Sequence, residues 1–192
     1  YYLRVSLAGV RNRYDYEEEV YIINTLKRNN IHVAAPVICK DGGFVWDINA
    51  PEGKRYAVLF EEAKQFKSDD NVKKAYNLGR MLAQLHTVAD ENHFKVSRAP
   101  INLIQLAEKP LKLIQPHFAH RASDLEFLND AAKKLCRYVE DNLSLEEPYY
   151  GYCHGDIHSR NVFFEETKPV IFDFDCMGYG WRAYDICVYA WN

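Results

Sequence analysis

Apolar residues in the first third of the chain fall into short runs separated by turn formers. Tyr2 to Ser6 reads as a strand. Asp15 to Asn29 carries Val20, Ile22, Ile23 and Leu26 at helical spacing and closes on the polar pair Asn29-Asn30, which predicts a helix. Val33 to Pro36 leads out of it. Phe44 to Ile48 and Arg55 to Phe60 are strand-like, and Asn49-Ala50-Pro51-Glu52-Gly53-Lys54 between them is rich in turn formers, so the pair predicts a hairpin. Asp41-Gly42-Gly43 predicts a further turn.

After Phe60 the pattern changes to helical. Ser68-Asp69-Asp70-Asn71 supplies N-cap candidates for a long helix through Leu78, Met81, Leu82, Leu85 and His86. Ile101 to Phe118 and Asp124 to Leu143 also read as helices, the former interrupted at Pro110 and Pro116. Short strands follow around Tyr149 to Cys153, Val162 to Phe164 and Val170 to Phe174, and a last helix is expected near Trp181. This order predicts an α+β protein of two lobes, with the boundary near residues 61 to 70.

Composition narrows the function classes. The 192 residues are 48% apolar and 27% charged, an ordinary globular balance. The net charge of −3 argues against a nucleic-acid binder, which needs a basic stripe. Apolar runs such as Tyr56 to Phe60 fall far short of the roughly 18 residues that span a bilayer. The five cysteines are odd in number, scattered and without a C-x-x-C pair, which points to a reducing compartment, the cytoplasm, rather than to disulfides or zinc. Tyr1 opens inside a strand and Asn192 follows an apolar run without a stop signal, so the chain is expected to be part of a longer one.

The chemistry concentrates in His154-Gly155-Asp156-Ile157-His158-Ser159-Arg160-Asn161-Val162. Asp173 stands 12 positions beyond Asn161, and Asp185 stands 12 beyond Asp173. Phosphoryl transfer needs a carboxylate beside the attacking hydroxyl and hard oxygen ligands for Mg²⁺. Protein-kinase catalytic loops place an Asn five positions after the catalytic Asp, as Asn161 follows Asp156 here. A loop between two strands can present both residues on one rim, with Asp173 ending the neighbouring strand. The bland reading, a capped turn with exposed loop charges, would suffice for His-Gly-Asp alone. It does not account for the Asn spacing and both later Asp residues together.

On these residues the sequence resembles the aminoglycoside phosphotransferase and choline kinase family. His154-Gly155-Asp156-x-His158-x-x-Asn161-Val162 matches its signature, and Ile171-Phe172-Asp173-Phe174-Asp175 matches its metal-binding strand. Leu78 to His86 is similar to the helix entering the C-lobe, and Gly180 to Ile186 to the segment behind the catalytic loop. The resemblance implies a bilobal protein-kinase-like fold, truncated at both ends. Residues 1–61 would be a partial antiparallel-sheet N-lobe, with a hinge near 60–63, and residues 62–192 a partial, mainly helical C-lobe.

The same resemblance implies roles. Asp156 is the catalytic base, and Asn161 with Asp173 holds Mg²⁺. His158 either touches the transferring phosphate or is a solvated loop histidine. His154 braces the loop, and Asp185 accepts its backbone N–H groups. Asp175 assists the metal or, on the reading preferred here, solvates the strand end. Arg4 stands where the family's strand cation neutralises the ATP phosphates, with Glu19 favoured over Glu17 and Glu18 as its partner. At the hinge, Glu61, Glu62 and Ala63 meet the nucleotide, the base through backbone groups and the ribose through a Glu61 or Glu62 carboxylate. No Gly-rich phosphate loop precedes Arg4.

The implied function is ATP- and Mg-dependent transfer to a small-molecule hydroxyl. The acidic field around the loop suits a cationic acceptor, such as an amino sugar, a choline-like alcohol or an amino-alcohol. Tyr179, Trp181, Tyr184 and Trp191 are read as core in preference to a cation-binding wall. A protein Ser/Thr kinase of bacterial stress-response type and a non-catalytic kinase-like binding protein remain as alternatives.

Overall fold

The computed structural model describes residues 1–66 and 69–191. The N-cap candidate Ser68 lies outside them. Strand β1 (Tyr2–Val5) precedes helix α1 (Arg13–Arg28), and the hairpin β2 (Val45–Ala50) and β3 (Gly53–Phe60) follows. The three strands form an antiparallel sheet in the order β1-β3-β2, with Arg4 opposite Val58. Asn12 caps α1 in a reciprocal box with Asp15, satisfying two end groups that would otherwise lack partners. Asn29 closes the helix at its other end.

Helix α2 (Asn71–Glu91) starts on Asp70, whose carboxylate accepts the Lys73 N–H at 2.9 Å. Its Leu78, Leu82 and Leu85 pack with Ile22, Ile23 and Leu26 of α1 and with Tyr152, Ile157, Ile171 and Phe174. Each such aliphatic side chain contributes about 1.5–3 kcal/mol on full burial. This single core therefore fixes α1 against the chain segments that carry Asp156 and Asp173. A second, smaller cluster of Tyr16, Val20, Val45 and Val58 fastens α1 to the sheet. No helix among the described residues is long and apolar enough to cross a membrane.

Beyond α2 lies a helical arm. A π-helical turn (Ile104–Glu108) leads into α3 (Lys109–Ile114), a 3-10 turn (Gln115–Phe118) and then α4 (Ala122–Asn142). Pro110 sits in the first turn of α3, where its missing N–H costs little. The prolines thus change the winding of one helical run without breaking it. Ile101, expected inside this helix, instead bridges Gly180.

Two antiparallel ribbons follow, β4 (Tyr150–Cys153) with β7 (Gly178–Trp181) and β5 (Val162–Glu165) with β6 (Lys168–Ile171). Strand β6 stops at Ile171, short of the expected Phe174, because Asp173 takes a left-handed conformation with φ 64°. Trp181 ends a strand, and helix α5 (Ala183–Trp191) begins two residues later than it. The segment after α1 also joins β6, with Ala34 N–H on the Ile171 carbonyl at 3.1 Å and Ile171 N–H on the His32 carbonyl at 3.0 Å.

Candidate active site

The loop between β4 and β5 is held from beneath by Asp185, a fully buried carboxylate in the first turn of α5. Its oxygens accept the backbone N–H of His154 at 3.0 Å and of Gly155 at 2.8 Å, and meet His86 Nε2 at 3.1 Å. Charge-assisted bonds of this kind are roughly twice as strong as neutral ones. Gly155 has φ +84°, and a Cβ there would lie 2.2 Å from the Cys176 carbonyl oxygen, so only glycine fits.

His154 faces inward, as expected. The Asp156 N–H donates to its Nδ1 at 3.2 Å, so its proton sits on Nε2, 3.2 Å from the Phe172 carbonyl. Burial holds its pKa below the usual histidine value, which keeps the ring neutral. His86, Cys153 and Asp185 also cluster in the interior. Their polar atoms are spent on the bonds just described and on a Cys153 Sγ contact to the Gly151 carbonyl, so the cluster is structural.

Asp156 is half-buried on the rim of the loop. Asn161 Nδ2 donates to its Oδ2 at 2.9 Å and to its carbonyl at 3.0 Å. Asp156 Oδ1 has no partner among the described residues. Because the Asn161 amide spends its N–H groups on Asp156, its Oδ1 is left as a free acceptor. His158 accepts the Arg160 N–H on Nδ1 at 3.1 Å and places Nε2 3.4 Å from Asp156 Oδ2. The Phe172 N–H bonds the Asn161 carbonyl at 3.1 Å, which ties the Asp173 segment to this loop. Asp173 carries its carboxylate half-exposed, 3.2 Å from Arg4 Nη1. Asn161 Oδ1 and the Asp173 carboxylate are hard oxygens with room for another ligand, a donor set that fits Mg²⁺.

Arg4 on β1 pairs with Glu19 at 2.6 Å. Helical phase selects this partner: Glu17 pairs with Arg13, Glu18 accepts from Ser97, and Glu19 alone of the three is turned fully inward. The Arg4 guanidinium also lies 5.6 Å from the Tyr16 ring and 5.0 Å from the Phe60 ring. A planar fork is well shaped to stack on the rings while bridging two carboxylates. Burial pulls the Arg4 pKa down, but Glu19 foremost and then Asp173 and Asp175 outweigh it, so Arg4 stays charged.

An apolar cavity of about 270 Å³ opens beside Arg4, lined by Ala34, Phe60, Ala63, Phe163 and Phe172, with Asp173 at one end. That lies just below the roughly 300 Å³ at which ligand pockets begin, so it suits a flat ring rather than a whole nucleotide. Glu61 lines it too, but Lys27 Nζ holds both its carboxylate oxygens, at 3.0 and 2.9 Å. Glu62 is exposed and is not among the lining residues.

Asp175 departs from the expected solvated position. Arg11 grips it through Nε to Oδ1 at 2.8 Å and Nη2 to Oδ2 at 3.1 Å. Of the four aromatic residues read as core, Trp181 is buried and Tyr184 is partly so, while Tyr179 and Trp191 are exposed. The sequence reading missed Arg11 and Arg98, which reach this site from irregular segments. Their partners lie 164 and 76–83 positions away, so no local spacing marks them.

Comparison with known proteins shows the family and the fold. The profile described as Phosphotransferase enzyme family matches residues 1–192. An uncharacterized protein of Synechocystis sp. is 38% identical over 189 residues, covering 97% of this chain and 52% of its own length. Among solved structures, a microcompartment-associated aminopropanol kinase superposes with TM-score 0.79 at 22% identity, over 97% of this chain and 61% of that one. Amicoumacin kinase hAmiN in complex with AMP-PNP, Ca²⁺ and Ami superposes with TM-score 0.77 at 23% identity, over 99% and 56%. The chain spans about half the length of the first curated relatives it matches. The α+β architecture is thus the protein-kinase-like fold of these kinases, and the chain belongs to the phosphotransferase enzyme family.

Proposed function

We propose that the full-length protein transfers the γ-phosphoryl group of ATP to a hydroxyl of a small, amine-bearing molecule. One observation carries the reading: Asp156 is fixed through Oδ2 by Asn161, while its Oδ1 faces no donor among the described residues. A carboxylate so presented can orient an acceptor hydroxyl and take its proton as the oxygen bonds phosphorus and ADP departs. Arg4, charged and braced by Glu19, suits the phosphates of the donor. The cavity beside it suits the adenine ring, with the backbone of Glu61 and Ala63 along its edge. Asn161 and Asp173 would hold Mg²⁺, which when bound neutralises charge on the phosphates. His158, with Nε2 toward Asp156, stands where it can donate to a phosphate oxygen.

Residues 1–61 and 62–192 would serve as nucleotide clamp and catalytic part, joined at Phe60 to Ala63. Glu61 is a poor ribose contact because Lys27 holds it. The name of one structural relative, an aminopropanol kinase, supports an amino-alcohol as acceptor, and the carboxylates around Asp156 favour a cation. Five free cysteines suit the cytoplasm.

The test uses the full-length protein with Mg·ATP and a panel of amino-alcohols, aminoglycosides and protein acceptors. Asp156→Asn is expected to lower kcat by about 10²–10⁴, the share general-base catalysis usually contributes, with nucleotide affinity retained. Turnover unchanged in that variant removes Asp156 as the base. Nucleotide binding with no turnover on any acceptor favours a binding protein.

A further inference from the structure

Arg98 lies in the irregular stretch after α2, and its side chain is only 4% exposed. Its Nη1 donates to the carbonyls of Phe174 and Asp175, each at 2.6 Å. Its Nη2 donates to Glu19 Oε2 at 3.0 Å and to the Asp15 carbonyl at 3.1 Å. One guanidinium therefore spans helix α1 and the turn that follows Asp173. Arg11, between β1 and α1, spans the same gap from the other side, gripping the Asp175 carboxylate and donating to the Asp175 carbonyl at 2.7 Å.

A buried arginine is a poor choice if stability is the only purpose. Apolar residues of similar volume often serve as well or better, and Arg98 Nε finds no acceptor among the described residues. What an apolar residue cannot do is fix two separate backbone segments and a carboxylate at once. Glu19 Oε2 accepts from Arg4 and from Arg98 together, so the place of Glu19 depends neither on Arg4 nor on a ligand.

We propose that Arg98 and Arg11 form a clip that holds Glu19 of α1 and the Asp173–Asp175 turn in register before any ligand binds. Arg98 is then a positioning residue for Arg4 and Asp173. The proposal rests on reading the cleft beside Arg4 as the nucleotide site. Its consequence is that α1 needs no partner or modification to be drawn inward, and the nucleotide meets a preorganised site.

The full-length protein, with Arg98→Ala, Arg98→Lys and Arg11→Ala, provides the test through two readouts. The first is amide hydrogen exchange over residues 13–28 and 172–177 without nucleotide. The second is the dissociation constant of Mg·ATP by calorimetry, with the KM for ATP set against kcat. Arg98→Ala is expected to speed exchange in both segments and to weaken nucleotide binding about ten- to a hundredfold, the usual cost of losing an orienting partner. KM for ATP should rise more than kcat falls. Arg98→Lys should restore little, because an ammonium lacks the fork that reaches both sides.

Arg11 touches solvent, so Arg11→Ala is expected to fold normally and still speed exchange in both segments. It carries the test should Arg98→Ala fail to fold. Wild-type exchange in both segments of Arg11→Ala overturns the clip, as does an Mg·ATP dissociation constant within about twofold of wild type in Arg98→Lys. A wild-type protein that binds no Mg·ATP sinks the nucleotide reading of the cleft instead, and the exchange readout still decides the clip.

Discussion

Around the catalytic loop, Tyr152, His154, Ile157 and Phe174 are almost wholly buried and the loop's amides end on Asp185, whereas in the helical arm no residue from Ile104 to Asn142 is buried. Leu113 and Phe127 stand 72% and 71% exposed there. Both regions are regular in backbone, so the difference lies in what the side chains meet. The loop region closes on itself through paired polar groups and one shared core. The arm keeps its shape through its own helical hydrogen bonds, and its apolar side chains are at most partly covered among the described residues. Most of the fixed polar geometry therefore resides in the first region.

That contrast can be broken by removing the centre of the loop region. Asp185→Ala strands two backbone N–H groups and His86 in the interior, and should cost about 3–5 kcal/mol in urea unfolding. A loss below 1 kcal/mol would mean that the loop is held some other way. The next effect is a pH dependence. His154 is buried with a depressed pKa, so the unfolded chain binds a proton more readily than the folded one. Stability is thus full above the ordinary histidine value of about 6.5 and falls as pH drops below it, with a slope approaching about 1.4 kcal/mol per pH unit for one proton. Unfolding midpoints between pH 7.5 and 5 should show this slope in the wild type and lose His154's share of it in His154→Gln.

Asn12→Ala removes the cap of α1 and should cost about 1 kcal/mol in the same measurement. Smallest is Phe127→Ala in the arm, expected within about 0.5 kcal/mol of wild type. A loss as large as that of Asp185→Ala would show that the arm is as tightly built as the loop, and would erase the contrast.

Much of this was legible before the structure. The hairpin around Pro51 and the Asp156 to Asn161 spacing are local patterns, and local patterns read well; the box at Asn12 was not read, because the helix was expected to begin only at Asp15. Strand β7 was not legible because its glycines resemble a loop. The structure gives their reason: a Cβ on Gly180 would lie 2.7 Å from the Ile101 carbonyl oxygen, and one on Gly178 would lie 3.0 Å from that of Ala99. Glycine in this strand marks the close approach of another backbone. Ile101 was misplaced by the same event, since its apolar side chain fits a helix pattern as well as a bridge. The end of β6 was set too late because Asp173 looks like any strand-end residue until its left-handed backbone is seen, a conformation that Asp tolerates better than most. Arg11 and Arg98 depend on contacts across most of the chain, which spacing alone cannot reveal.

The two backbone bonds between the segment after α1 and β6 have an evolutionary consequence. Side-chain identity does not enter into an amide meeting a carbonyl, so drift at Val33 or Ile171 among apolar residues of similar size leaves the joint intact. Helix α1 and the Asp173 segment can thus stay coupled while the sequences on either side diverge.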